Sequence, residues 1–549
     1  MAGKSTALTV PRPFSSLWGG PADPPCLLDA LATTAATRPD DVAILDEGQE
    51  LTYRELIAWT RHIAALLVDH EIRPGDRVAI TGSRSAAIVA AMLATVYIGA
   101  TYVPLDAEYP VKRLEHMKTD SGAKMLLFAD QEPAFAAGVR SLPIPPARGR
   151  RSASTAGEAA MPWQACQADL PVYIIYTSGS TGLPKGAVLP HRCIDNMAAW
   201  QRSHSVRPDL RTAQFTSLNF DVWFQEVLGT LCGGGTLVIM PEQLRSDAIA
   251  LLGWLADNRI ERLFLPYVAL NMLTAAAAAA DSLDDLSLRE VNLGGEQLVC
   301  TPVVRDFFRR LPDCRLNVHY GQSESAMVTA HTLAGPPGDW PTLSPIGRPL
   351  PGCEAIIDPV DPDEPAVGEL LVAGLPLSTC YLNQPGLNAA RYIPVAPTRH
   401  GHSRAFRTGD LVRVEDDVIH YVGRADNEVK IRGIRVNPLE VDACLLAQPG
   451  VTEAVCVPIE ITEGSRQLRA AVIVTGGETA FDVDRAMAAM TELLPRQAVP
   501  VSVTVLAELP RTPSGKADRR AVAQALADIH LKGHGRLGLS PKTADKTSS

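Results

Sequence analysis

No CxxC pair and no neighbouring Cys/His cluster occurs among the ten cysteines, which are scattered from Cys26 to Cys456. Neither a zinc site nor a disulfide framework is therefore predicted. His191 and His319 likewise have no partners at metal-ligand spacing, so no transition-metal site is expected. Long apolar runs are missing as well. The N-terminus, MAGKSTALTVPRPFSSLWGG, contains no continuous apolar segment of signal-peptide length. No stretch elsewhere approaches the ~20 apolar residues of a membrane span. These absences predict a cytoplasmic protein with no membrane partner. Basic charge is also in deficit: 51 Lys and Arg face 61 Asp and Glu, a net charge of -10, which argues against a general nucleic-acid binder.

What remains is ordinary globular composition, 46% apolar and 20% charged, in a chain of 549 residues. That length exceeds what one hydrophobic core usually serves, so two or more lobes are expected, with a cleft between them. The most distinctive segment is TSGSTGLPKG, from Thr177 to Gly186, preceded by the strand-like run VYIIY. Its glycines let backbone N–H groups approach an anion, its hydroxyls add donors, and Lys185 adds a point charge suited to phosphate. A Walker loop would read GxxxxGK[ST]. Here Leu183 and Pro184 separate Gly182 from Lys185, and Gly186 follows the lysine, so the segment is a different kind of phosphate loop. Taken alone, the same composition would also suit a flexible linker.

Helix-like and strand-like runs alternate, as in Ala86 to Ile98 before Tyr102-Val103, or Leu251 to Asn258 before Arg262 to Leu265. This rhythm predicts an α/β fold built of layers. The stretch from Glu132 to Gln167 breaks it with Pro, Ala, Gly and Arg and is predicted to be a long surface loop. The alanine run Ala275 to Ala280 continues a helical pattern. From Asp426 a compact series of short strands and helices restarts, predicting a small α+β lobe. The expected division is 1–425, 426–530 and a disordered tail 531–549, the last rich in Gly, Lys, Ser and Thr without apolar periodicity.

Nine motifs stand in a fixed order: LTYREL (Leu51 to Leu56), GATYVPLD (Gly99 to Asp106), TSGSTGLPKG, NFDVWFQE (Asn219 to Glu226) and NVHYGQSE (Asn317 to Glu324), then GELLVAG (Gly368 to Gly374), RTGD (Arg407 to Asp410), GRADNEVKIRGIRV (Gly423 to Val436) and PSGKADR (Pro513 to Arg519). In this order they resemble the adenylate-forming superfamily, and within it the amino-acid-activating adenylation domains of nonribosomal peptide synthetases. The resemblance covers nearly the whole chain and removes the linker reading. It implies a large N-terminal lobe and a small mobile C-terminal lobe. It also implies a two-step reaction, in which a carboxylate attacks the α-phosphorus of ATP and a thiol then takes the acyl group.

Carried over residue by residue, the resemblance implies that Thr177, Ser178, Gly179, Ser180, Thr181, Gly182 and Lys185 hold the nucleotide phosphates. Lys516 would be the catalytic lysine, bridging carboxylate and α-phosphate. Glu324 would bind Mg²⁺, Tyr320 would stack on adenine, and Asp410 with Arg424 nearby would hold the ribose. Ser323 takes the place of the usual Thr at the α-phosphate. Asp426 matches the hinge and Gly433 the pantetheine channel. Two departures are visible: Gln322 stands where proline is common, and Trp223 replaces a small residue, either narrowing the pocket mouth or filling core.

The family pocket maps onto Asp221, Val222, Gln225, Phe264, Asn292, Gly294, His319, Met327 and Val328, together with Lys516. Asp221 would pair with the substrate ammonium, since a buried carboxylate needs such a partner. The set resembles proline-activating pockets, and L-proline or a proline-like cyclic amino acid is the expected substrate. Asn292 and Gly294 make the pocket larger and more polar than usual, leaving a substituted proline or a six-membered homologue open. The 30 residues after Arg519 are too few for a folded carrier, so loading of a separate carrier protein in trans is expected, with an MbtH-like helper undecided. The rival implied by the same superfamily is an acyl-CoA synthetase.

Overall fold

The computed structural model describes residues 15–147, 167–177, 183–361, 363–425, 429–431, 434–462, 465–475, 481–511 and 517–531. These fall into two compact units, one running to residue 425 and one from residue 429 onward, with Tyr109–Arg113, Leu183 and Pro184 grouped with the second. The predicted phosphate-loop residues Ser178, Gly179, Ser180, Thr181 and Gly182 lie outside the described residues, as do Asp426, Gly433, Lys516 and the tail from 532.

In the large unit the described strands form sheets of nine, seven and six. Central strands such as Met125–Phe128 and Arg262–Leu265 are parallel and buried along their length, which is why they read as unbroken apolar runs rather than alternating ones. The LTYREL motif is a helix start. Thr52 accepts the Glu55 N–H while the Glu55 carboxylate accepts the Thr52 N–H at 2.9 Å, a capping box that opens helix Tyr53–Asp69. Helix Ala86–Tyr97 is buried almost all round and follows strand Arg77–Thr81, as the alternation requires. The alanine run forms the end of helix Tyr267–Ala278.

One expectation is corrected. The stretch from 132 to 167 is not all loop. Arg140–Pro143 forms the edge strand of the seven-stranded sheet, parallel to Met125–Phe128, and the Trp59 indole donates to Pro145 O at 2.8 Å. An edge strand needs hydrogen bonds on one side only, so its proline is tolerated and masked the strand in the sequence. Among the described cysteines Cys26 is disulfide-bonded and the other eight are free.

The small unit holds a hairpin, Val429–Ile431 with Ile434–Val436, and a three-stranded sheet of Val451–Thr462, Ser465–Val474 and Val503–Val505. Helix Pro438–Leu446 is capped by the Asn437 side chain, which accepts the Leu439 N–H at 3.0 Å. Arg511 and Ala517 form an antiparallel bridge. Arg519 pairs with Asp442 and donates to Cys456 O at 2.5 Å, and it opens a helix, Arg519–Leu531, that the sequence reading did not assign.

Candidate active site

Three parallel strands of the nine-stranded sheet converge on one region of the large unit: Arg262–Leu265, Glu290–Gly294 and Arg315–Gln322. Their register aligns Phe264 with Asn292 and Asn317, and Gly294 with His319. The predicted pocket residues thus lie toward the carboxyl ends of parallel strands, where open α/β sheets characteristically bind ligands. Helix Asp221–Leu231 supplies Asp221 and Gln225, which share a face because they are four residues apart. Asp221 stands in the first turn, where a helix dipole favours a carboxylate, and its Oδ1 accepts the Val222 N–H at 2.9 Å.

The structure joins Gln225, His319 and Met327 directly. The Gln225 amide nitrogen lies 3.2 Å from His319 Nδ1 and 3.4 Å from Met327 Sδ. His319 packs against Phe264 with ring centroids 6.4 Å apart and edge-on to Trp200 at 5.3 Å. Val328 is not brought into this group. Adjacent strand residues face opposite ways, and Val328 packs instead in a cluster with Tyr320 and Ile346. Trp223 fills core, stacked on Tyr102 at 5.8 Å and edge-on to Phe224.

Behind the pocket lies a network that sequence reasoning missed. Glu290 and Arg262 are both fully buried, their charged groups 3.5 Å apart. Glu290 also accepts from Gln201 and Asn292 at 3.0 Å each, from the Val206 N–H at 3.2 Å, and from Ser205. Burial works to raise its pKa, but the Arg262 charge and these hydrogen bonds hold the carboxyl below its ordinary value. The Asn292 oxygen accepts from Asn317 at 2.8 Å, so both ends of the Asn292 amide are engaged by the network. The available signal was a charge at the head of each strand, in RLFL and EVNLG, since a charge in a buried strand must be paired.

A second group surrounds Asp410 on strand Arg404–Glu415, in register with Arg424. Tyr320 donates to Asp410 Oδ2 at 2.6 Å, Gln322 donates to the same oxygen at 2.5 Å, and Arg424 donates to Oδ1 at 2.7 Å. Gln322, seen in the sequence only as a departure, is therefore part of this group. The turn that carries it is tight. A Cβ on Gly321 would lie 1.7 Å from Ala326 O, so only glycine fits, and Ala326 itself has a positive φ of 48°.

The third group flanks the phosphate loop. Strands Pro171–Thr177 and Lys185–Pro190 form an antiparallel hairpin in which Thr177 faces Lys185. Lys185 is buried with its ammonium 3.9 Å from Glu324 Oε1 and 4.6 Å from the centre of the Tyr381 ring. The Tyr381 hydroxyl donates to Glu324 Oε1 at 2.6 Å and accepts from Lys185 at 3.4 Å. Tyr381 lies in no recognisable motif and was not foreseen. Ser323, half-buried, sits between Gln322 of the second group and Glu324 of the third.

Comparison with known proteins places this geometry. Residues 31–382 match the AMP-binding enzyme family, and residues 440–516 match the AMP-binding enzyme C-terminal domain. The chain belongs to the AMP-binding enzyme family. It has the adenylate-forming α/β fold, with a large N-terminal and a small C-terminal domain. It is 34% identical over 521 residues to the isonitrile lipopeptide synthase of Streptomyces coeruleorubidus, covering 93% of this chain and 34% of that protein. It is 32% identical over 508 residues to phenyloxazoline synthase MbtB of Mycobacterium sp., covering 91% and 42%. This AMP-binding chain thus spans between a third and under half of these relatives. Among solved structures it resembles the amide bond synthetase McbA from Marinactinospora thermotolerans, with a TM-score of 0.76, 26% identity, and coverage of 90% of this chain and 99% of that one. PA1221, a nonribosomal peptide synthetase protein containing adenylation and PCP domains, shares the fold with a TM-score of 0.77, 24% identity, and coverage of 91% and 84%. No helix among the described residues is long and apolar enough to cross a membrane.

Proposed function

We propose that this AMP-binding enzyme activates an amino acid with ATP and passes the aminoacyl group to the phosphopantetheine thiol of a separate carrier protein, as an adenylation domain of the nonribosomal peptide synthetase type. The observation that carries the reading is the neighbouring pair His319 and Tyr320. One strand sends His319 to the Gln225 and Phe264 group and Tyr320 to the Asp410 group. An acid held by the first and a nucleoside held by the second would meet near Ser323 and Glu324, where the strand ends.

In the first step a carboxylate oxygen of the amino acid bonds to the α-phosphorus of ATP as the bond to pyrophosphate breaks. Charge accumulates on phosphate oxygens, so fixed cations and donors lower the barrier. Lys185 and the loop after Thr177 would hold the leaving pyrophosphate, and Lys516 would bridge the carboxylate and the α-phosphate. Glu324 fits a Mg²⁺ ligand: a hard carboxylate oxygen beside the phosphate loop, with the remaining positions left to phosphate and water. Bound there, Mg²⁺ would neutralise charge on the phosphate oxygens. Asp221 would pair with the substrate ammonium. Phe264, Val222 and Met327 would line an apolar wall suited to the saturated ring of proline or a proline-like cyclic amino acid. In the second step, movement of the small domain about Asp426 would replace Lys516 by the Gly433 segment beside the adenylate. The carrier thiol would then attack the acyl carbon and release AMP.

ATP–pyrophosphate exchange across the amino acids, with pipecolate and the hydroxyprolines included, tests the first step. Exchange with cyclic amino acids that disappears in Lys516→Ala, with ATP binding retained, is expected; exchange unaffected by that change would remove the lysine from the mechanism. Labelled acid should appear on a carrier protein and not on free coenzyme A. Transfer to coenzyme A alone would make the enzyme an acyl-CoA synthetase instead.

A further inference from the structure

The amide network behind the pocket admits one consistent proton assignment. Glu290 is held ionised by Arg262 and its hydrogen bonds, so it only accepts. The Gln201 amide must therefore turn its nitrogen to Glu290, at 3.0 Å, and its oxygen to Gln225, at 2.7 Å. That oxygen in turn requires the nitrogen of Gln225, and this same nitrogen faces His319 Nδ1 at 3.2 Å. One amide hydrogen of Gln225 goes to Gln201; the other faces His319 Nδ1 at 3.2 Å and Met327 Sδ at 3.4 Å, and because a thioether sulfur is a weak acceptor it goes to the imidazole, making Nδ1 of His319 an acceptor. Burial pushes His319 down to about 4, so at neutral pH the ring carries one proton, and that proton sits on Nε2.

His319 Nε2 is buried and has no hydrogen-bond partner among the described residues. Its N–H is an unanswered donor on a ring packed against Phe264 and Trp200. Buried donors in folded proteins are almost always paired, with protein, water or ligand. Gly294, in register with His319, could carry a Cβ without a clash, in ordinary van der Waals contact with Val222 Cγ2 at 3.7 Å and His319 O at 3.8 Å, so that volume is left unfilled by the glycine.

We infer that the substrate side chain carries a hydrogen-bond acceptor that receives the His319 Nε2–H. Resting on the cyclic-amino-acid reading above, this makes the substrate an oxygen-substituted proline, a hydroxy or oxo derivative, rather than proline itself. A site built around a hydrogen bond to substrate rejects the analogue that lacks it far more strongly than an apolar pocket rejects an extra methyl.

Pyrophosphate exchange with the full chain tests this directly. The panel comprises L-proline, 4-methylproline, the 3- and 4-hydroxyprolines and 4-oxoproline, together with the acyclic pairs glutamine and methionine, threonine and valine. Oxygen-bearing prolines should exceed proline and 4-methylproline by tenfold or more in kcat/KM, on the order expected for a buried donor. His319→Phe should collapse that ratio toward one, and His319→Gln, which keeps a donor, should restore part of it. Equal use of proline, 4-methylproline and the oxygenated forms by the wild-type enzyme would overturn the inference, because the donor would then be met by a trapped water. Exchange confined to glutamine or threonine over their apolar partners would uphold the acceptor and remove the cyclic reading. Exchange with no amino acid would remove both.

Discussion

Replacing Glu290 by glutamine removes the negative charge from a site where five donors converge while keeping the side chain's shape. Arg262, whose side chain is 1% exposed, would be left charged and buried without its counter-ion. Removing one member of a buried pair costs about 3–5 kcal/mol, mostly because the survivor stays desolvated. Unfolding entropy of about 2.1 cal/mol/K per residue, over a unit of roughly 400 residues, gives ~0.8 kcal/mol/K. The loss therefore corresponds to a fall of ~4–6 °C in Tm, readable by calorimetry. Arg262→Leu in the same chain should recover part of it, since the orphaned charge is then gone. The substitution also frees the Gln201 amide to flip, so substrate preference should blur at the same time. A Tm within about 1 °C of wild type would refute the reasoning, because it would mean that Glu290 is not holding a buried charge.

Asp410→Asn should raise KM for ATP at least tenfold with a smaller effect on KM for the amino acid, because one of the three donors on the carboxylate would then face an amide N–H; steady-state kinetics with each substrate varied checks this. His319 gives a pH signature. Its folded pKa, about 4, lies below the ordinary 6.5, so between these values the unfolded chain binds the extra proton and stability falls as pH drops. The slope, up to roughly 3 kcal/mol over that window, should vanish in His319→Phe, as denaturant unfolding at pH 7 and pH 5 would record. Glu290, with a lowered pKa, acts in the same direction: its stabilisation is present above the ordinary carboxyl range and is lost as pH falls through the folded value. Tyr381→Phe removes the hydroxyl that bridges Lys185 and Glu324 but keeps the ring against the ammonium, and should lower exchange kcat by roughly ten- to a hundredfold, one neutral-to-charged hydrogen bond's worth.

Motifs made the outline of the site legible. Asp221, Gln225, His319 and Met327 were foreseen as a pocket, and Tyr320, Asp410 and Arg424 as a group, because each belongs to a short segment whose residue order is distinctive. What stayed hidden depends on pairing between distant strands. The parallel register sets Arg262 opposite Glu290, and Gln201 reaches them from helix His191–His204, more than fifty residues earlier in the chain. Tyr381 sits in a two-residue strand, Cys380–Tyr381, that no local periodicity announces. Val328 was carried into the pocket by its position in the resemblance, whereas the period-two alternation of a strand sends it and Met327 to opposite faces. The strand Arg140–Pro143 was hidden by its proline, which an edge position permits.

The strand Arg315–Gln322 places a constraint on how this enzyme can change. His319 and Tyr320 are consecutive, and a register shift follows immediately at Gly321, so each residue's direction is set by the same backbone. A slip of one residue against Glu290–Gly294 would turn His319 toward Asp410 and Tyr320 toward Gln225, exchanging the two duties and losing both. Insertions or deletions in this strand are thus closed as a route to new substrates. Drift in specificity must proceed by side-chain replacement at fixed backbone, and a new residue at 319 must also satisfy Gln225, so that selectivity and the inner amide network change together or not at all.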